Sequence, residues 1–249
     1  MSGYSRGGPT SPSRREGWPA VTSPVVLAAI GAAEGVCIAL RSVPWLTAGG
    51  HRYADEWARP APPMRWVGPV AVLVGLAVGW ARADQWAYAL VLAAAGAVAV
   101  VLAAIDLDVH RLPDRFTLPA LWLVPAALGL VALAEERPGA WVRAVVAGLG
   151  VGALFLVLAL VSGGGFGLGD VKLAPSVAAL TGYAGWGAVV GWVLVTFVVG
   201  GVVAMVLLLT GRANVKTQFA FGPVMLVVAV GLWLLPDPGA WVLRLMAGP

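Results

Sequence analysis

Three features of this chain predict an all-α bundle of about eight membrane-spanning helices: its composition, a series of apolar runs long enough to cross a bilayer, and the scarcity of charge inside them. Of its 249 residues 60% are apolar and only 11% charged, and the mean hydropathy is +0.88, a balance found in integral membrane proteins. A helix needs about 20 apolar residues to cross ~30 Å of hydrocarbon at ~1.5 Å per residue, because backbone polar groups there must be bonded within the segment. Spans and short connections use up residues 23–249, so one transmembrane domain is expected, with no room for a separate soluble unit.

Residues 1–22 are rich in Ser, Gly, Pro and Arg and lack apolar periodicity, which predicts a disordered tail. The run from Pro24 to Leu40 is followed by Arg41 and lacks a small-residue cleavage site, so it reads as a retained span interrupted only by Glu34. Further spans are predicted from Val67 (or Met64) to Ala81, Trp86 to Ile105, Phe116 to Ala134, Trp141 to Val161, Ala188 to Thr210 and Phe219 to Leu235. A shorter piece, Val171 to Thr181, makes a thin eighth span, with Lys172 and Pro175 near its start, where a charge and a missing donor are tolerated. Without it the count is seven.

The 16 basic and 12 acidic residues give a net charge of +4 spread over loops, which suits anionic lipid headgroups; no basic, aromatic-interleaved face for nucleic acid is present. Orientation follows from Arg and Lys. If the two acidic motifs described below face inward, the inner connections carry Arg41, Arg52, Arg59, Arg65, Arg111, Arg115, Arg212 and Lys216, against Arg82, Arg137 and Arg143 outside. An even span count then leaves Arg6, Arg14 and Arg15 of the tail outside, against the same rule. Cys37 is the sole cysteine, so neither an intramolecular disulfide nor a cysteine-ligated zinc site can form within the chain, and its apolar surroundings predict a buried small hydrophobe.

Two acidic motifs close apolar runs: Ile105-Asp106-Leu107-Asp108-Val109-His110-Arg111-Leu112-Pro113-Asp114 and Gly163-Gly164-Gly165-Phe166-Gly167-Leu168-Gly169-Asp170-Val171-Lys172-Leu173. Two facing carboxylates near hydrocarbon tend to share one proton, so the pair is at once base and acid. The ionised member can deprotonate a water while the protonated one hydrogen-bonds a substrate carbonyl, as amide hydrolysis without a covalent intermediate requires. Asp106 and Asp170 are the candidates. The glycines of the second motif permit irregular backbone, tolerated at membrane depth only against protein or a wet cavity.

Plainer readings exist for each residue. A single Asp at a span end is commonly an interfacial residue, and Asp108, Asp114 and Arg111 read as solvated loop charges, pairing with each other if with anything. The glycine run alone is compatible with a connector or a helix-packing surface, and its spacing is not a dinucleotide fingerprint. Lys172 neutralises Asp170 or reaches headgroups.

The run Gly167-Leu168-Gly169-Asp170-Val171-Lys172-Leu173 resembles the G-x-G-D-x-K-L signature of type IV prepilin peptidases, the GxGD-type aspartic membrane proteases related to archaeal preflagellin peptidases. Asp106 to Asp114 resembles that family's first-aspartate motif, with Pro113 seven residues after Asp106. Phe219-Ala220-Phe221-Gly222-Pro223 is similar to its P-F-G-P segment. The resemblance spans about residues 86 to 235. It implies a multi-pass enzyme of the prokaryotic cytoplasmic membrane that removes short basic leaders from prepilins and pseudopilins at the cytoplasmic face, usually after a glycine. It also implies Asp106 and Asp170 as the catalytic pair, with Pro113, Asp114, Gly167, Gly169 and Lys172 shaping the site or binding substrate.

Many members carry a zinc-binding Cys-x-x-Cys insertion after the first span and methylate the new N-terminus with S-adenosylmethionine. Here the corresponding stretch, Ser42 to Arg65, has no cysteine, and Gly35 to Pro44 resembles the family's first span only loosely. A short form is therefore expected, without metal, cofactor or methyltransferase activity. A secondary transporter, or a non-catalytic pilus or secretion assembly factor, uses similar ingredients, although no internal repeat is visible.

Overall fold

The computed structural model describes residues 23–58, 62–162, 167–211 and 220–247. The expected disordered tail (1–22), Gly163, Gly164, Gly165 and Phe166 of the glycine run, Phe219, and Arg59, Arg212 and Lys216 lie outside the described residues.

Nine helices follow in chain order among the described residues: α1 (Pro24–Thr47), α2 (Val67–Ala81), α3 (Trp86–Val109), α4 (Asp114–Ala134), α5 (Pro138–Val161), α6 (Leu168–Ala184), α7 (Trp186–Leu209), α8 (Phe221–Trp233) and α9 (Pro238–Ala247). Five of them, α1, α3, α4, α5 and α7, are long and apolar enough to cross a membrane; α2 and α8 are shorter apolar helices. The protein is a polytopic helical bundle, as the composition predicts. The terminal helix α9 and a 3-10 turn at Ala54–Glu56 are additions to that prediction.

The central helix is α3, whose most apolar window is 67% buried against 17–28% for the other long helices. Small side chains explain this: Ala89, Ala93, Ala97, Ala104 and Gly96 give α3 a thin profile that neighbours approach from several sides.

Close approach is clearest between α1 and α2. Gly31 and Gly35 on α1 face Gly75 and Ala71 on α2, Gly79 of α2 packs on the backbone of Leu27, and a Cβ on Gly35 would fall 2.6 Å from the Ala71 carbonyl oxygen. Side-chain-free backbones packing at this range gain dispersion contacts where lipid supplies no hydrophobic drive. Gly75→Leu is therefore expected to separate α1 from α2, lowering the thermal midpoint and the yield of monodisperse protein. Gly150→Leu, whose Cβ would meet nothing within 4 Å, serves as the control in the same melting assay.

The C-terminal ends of α1, α3 and α5 meet the N-terminal ends of α4, α6 and α8 at one end of the bundle, and the C-terminal ends of α2, α4, α6 and α8 meet the starts of α3 and α5 at the opposite end. There the arginines are committed to protein. Arg82 donates through Nε to the Trp233 carbonyl at 2.7 Å, and Arg143 to the Gly182 and Tyr183 carbonyls at 2.7 and 2.6 Å, satisfying the last turns of α8 and α6. Glu135 accepts from the Tyr88 backbone N–H at 3.1 Å and the Tyr183 hydroxyl at 3.3 Å, and burial pushes its carboxyl above the usual range.

One expectation is corrected. Cys37, expected to be buried, is exposed on α1, because a helix apolar all round carries no periodicity that separates its lipid-facing from its protein-facing side. Glu34 is half-buried, with Oε2 enclosed and without a hydrogen-bond partner among the described residues.

Candidate active site

The first motif sits on the last turn of α3, which runs four residues past Ile105 and so keeps Asp106 and Asp108 helical. Residues two apart on a helix point to nearly opposite sides, so the two aspartates part company. Asp106 turns inward and is 4% exposed. His110 ends the helix in the left-handed conformation, φ 52°, its N–H bonded to the Asp106 carbonyl at 2.9 Å. The buried Pro113, extended at ψ 131°, then starts α4 and offers its carbonyl to the Phe116 amide at 3.0 Å.

The second motif opens α6. Gly167 precedes the helix and its carbonyl accepts from the Asp170 amide at 3.1 Å. A Cβ on Gly167 would sit 3.0 Å from Asp170 Oδ2, and one on Gly169 would press on Leu112 at 3.1 Å. The missing side chain at 169 thus lets the two motifs touch. Asp170 is 7% exposed.

A third segment completes the meeting point. A Cβ on Gly222, in the first turn of α8, would lie 2.8 Å from Asp106 Oδ2 and 3.4 Å from Asp170 Oδ1. Both carboxylates therefore crowd one bare backbone position, that of Gly222. A helix N-terminus directed at a carboxylate group favours negative charge there.

These residues border a cavity of about 770 Å³ at this end of the bundle, lined among others by Asp106, Asp170, Tyr53, His110, Lys172 and Phe221. A cavity lined by both carboxylates and by apolar side chains such as Leu156, Leu160 and Phe221 offers room for water and for an extended peptide.

The outer parts of the motifs behave otherwise than expected. Asp108 is not a solvated charge: its side chain is 3% exposed, His51 Nε2 bonds to it at 2.6 Å, and Arg52 donates through Nε at 2.8 Å and Nη2 at 2.5 Å. The Asp108 hydrogen bonds hold Arg52 more firmly protonated than usual. Arg111 pairs with Glu56 at 2.9 Å and lies 3.5 Å over the Tyr53 ring, whereas Asp114 pairs with Lys172 at 2.7 Å. The expected mutual pairing of Asp108, Arg111 and Asp114 is thus replaced by contacts to more distant partners. Lys172 reaches Asp114 of the first motif, not Asp170, and so ties the two motifs together at an exposed edge.

The loop between α1 and α2 is the part that sequence reasoning missed. His51, Arg52 and Glu56 clamp it to the end of α3, which places Tyr53 on the cavity wall. No local pattern announces contacts between residues more than fifty positions apart. Asp108→Ala is expected to leave His51 and Arg52 enclosed without their acceptor, a loss of about 1–3 kcal/mol in stability. A lowered thermal midpoint with helicity retained checks it; an unchanged midpoint would show that the clamp holds nothing. Among the described residues no three His, Cys, Asp or Glu side chains are grouped as a metal ion requires.

Fold and site together define a polytopic helical membrane protein with a carboxylate pair in a cavity at one end. Residues 93–205 match the sequence profile of the type IV leader peptidase family. The chain is 34% identical over 161 residues to a prepilin leader peptidase/N-methyltransferase of Stutzerimonas stutzeri, covering 63% of this chain and 52% of that protein. To the protein of the same name from Aeromonas hydrophila it is 34% identical over 169 residues, covering 66% and 52%; to that from Burkholderia pseudomallei (strain 1026b), 37% over 142 residues, covering 53% and 42%. Over the matched residues the chain is similar to the type IV leader peptidase family. The chain spans about half the length of the curated relatives it matches. No solved structure gives a significant match.

Proposed function

We propose that this chain is a membrane-embedded aspartic endopeptidase that removes short basic leaders from prepilin- or pseudopilin-like precursors, acting at the cytoplasmic face of the inner membrane. The observation that carries it is the convergence of Asp106 and Asp170, from two separate motifs, on one backbone position at the floor of a cavity. One carboxylate takes a proton from a water whose oxygen attacks the scissile carbonyl carbon. The other, protonated, donates a hydrogen bond to that carbonyl oxygen. Collapse of the tetrahedral intermediate breaks the C–N bond as a proton passes to the leaving amine, giving a leader acid and a new N-terminal amine. The pair titrates as a unit.

A substrate helix must unwind at the cut, because helical carbonyls are occupied in internal hydrogen bonds; a glycine there eases it. The cytoplasmic side is supported by the arginines. Of those at the opposite end, Arg82 and Arg143 cap helices and Arg137 holds Gln85 and Glu135, whereas Arg41, Arg65 and Arg115 at the cavity end have no carboxylate partner among the described residues. We assign residues 23–249 to one peptidase domain without zinc or methyltransferase activity, on the ground that Ser42 to Arg65 offers no cysteine.

The test is co-expression with a prepilin-like precursor carrying a basic leader that ends in glycine. Mass spectrometry of the product should show loss of the leader alone, with an unmethylated N-terminus. An uncut precursor across a panel of such substrates would contradict the reading.

A further inference from the structure

A second concavity, of about 410 Å³, lies between α1, α3 and α4, away from the carboxylate pair. Its walls are Ile38, Val98, Val101, Trp45 and Phe116, all from helices long and apolar enough to cross a membrane. Arg41 and Arg115 also line it, and both are exposed. The Arg115 guanidinium lies 3.8 Å over the Trp45 ring, and neither arginine has a carboxylate partner among the described residues. The charged group acting most on Arg115 is another cation, Arg111, itself committed to Glu56.

An exposed arginine at a membrane boundary ordinarily needs no ligand, because it snorkels to water. Here two uncompensated guanidinium groups stand over one apolar slot. The slot is also deep: Val98 lies eleven residues before the end of α3 at Val109, about 16 Å along the helix, or roughly half the ~30 Å hydrocarbon thickness. A ligand that complements it carries an anionic head and an apolar tail one leaflet long. A free phosphate has no use for the apolar walls. A substrate helix preceded by a basic leader would bring like charge to the arginines.

We infer that this groove is a specific site for one anionic glycerophospholipid, with its phosphate between Arg41 and Arg115 and an acyl chain along Val98 and Val101. Basic pockets between membrane helices near the cytoplasmic boundary recognise anionic headgroups on the same physical grounds. The site borders the loop that walls the cavity, since the Trp45 ring meets His51 edge-on at 5.8 Å and Phe116 at 6.1 Å. A bound lipid therefore braces that loop.

The purified full chain, titrated with dioleoyl phosphatidylglycerol or dioleoyl phosphatidylcholine, is read by native mass spectrometry. The wild type should retain one phosphatidylglycerol in preference to phosphatidylcholine. At about tenfold or less per lost basic contact, Arg41→Gln/Arg115→Gln should lose most of that preference. Val98→Trp fills the slot and keeps both charges, and should weaken retention of either lipid; circular dichroism establishes that each variant is folded. Equal retention of the two lipids by the wild type, which needs no variant, would overturn the inference, as would retention unchanged in the folded variants. Displacement of the lipid by a prepilin-like peptide, with Val98→Trp losing peptide binding, would assign the groove to the substrate helix and overturn it too.

Discussion

Asp106→Asn and Asp170→Asn should each reduce leader cleavage by about a thousandfold or more, with protein level and helicity held, because asparagine keeps the shape of the side chain but can neither accept the water proton nor return it. Both side chains are nearly enclosed, so the amide finds the room the carboxylate had. Two groups that act as one device give non-additive losses, and the double variant is expected to be no slower than the worse single variant. Asp108→Asn is expected to retain cleavage, because its carboxylate is bound to His51 and Arg52 and it is absent from the cavity lining. Cleavage within tenfold of wild type in either of the first two variants would remove the dyad from the mechanism.

Gly222→Val should be nearly as damaging, for a reason independent of proton transfer. Its Cβ would sit 2.8 Å from Asp106 Oδ2 and 3.4 Å from Asp170 Oδ1, so the branched side chain must push the carboxylates apart or tilt the start of α8. Displacement of catalytic groups by about 1 Å costs about a hundredfold in rate. The control is Gly231→Val on the same helix, where a Cβ would meet nothing within 4 Å. Cleavage rates of the two variants in the same membranes should differ by about that factor; equal rates would mean that Gly222 does not hold the site.

The positions of the helices were legible because lipid demands apolar runs of fixed minimum length. The interval Val67 to Ala81 was recovered at both ends as α2. Their ends were less legible. Helix α1 continues through Arg41 and Pro44 to Thr47, since polar residues at a membrane boundary do not stop a helix as they stop an apolar run. The same error at α3 misplaced Asp108: with the helix ended at Ile105 it reads as a loop charge, and with four more residues it turns away from Asp106 into the grip of His51 and Arg52. The second-motif glycines were read as freedom for the backbone. What Gly169 supplies is a bare surface against Leu112.

The candidate site was less legible than the fold. Physical chemistry singled out two carboxylates at span ends, but their meeting rested on motif resemblance, because no periodicity in an all-apolar helix says which face turns inward. Gly222 on α8 backs the two carboxylates, and Tyr53 walls the cavity from the α1–α2 loop. Their roles depend on packing between distant segments that no short-range pattern encodes.

The central claim is that the side chains at 106 and 170 meet across α3 and α6, and a thiol-proximity measurement tests it most directly. In a Cys37→Ser background, Asp106→Cys/Asp170→Cys is treated with dibromobimane, which fluoresces when both arms alkylate neighbouring thiols, beside Asp108→Cys/Asp170→Cys as the comparison. Strong intramolecular fluorescence from the first pair and little from the second is the expected result. A folded first pair that stays dark would contradict the account.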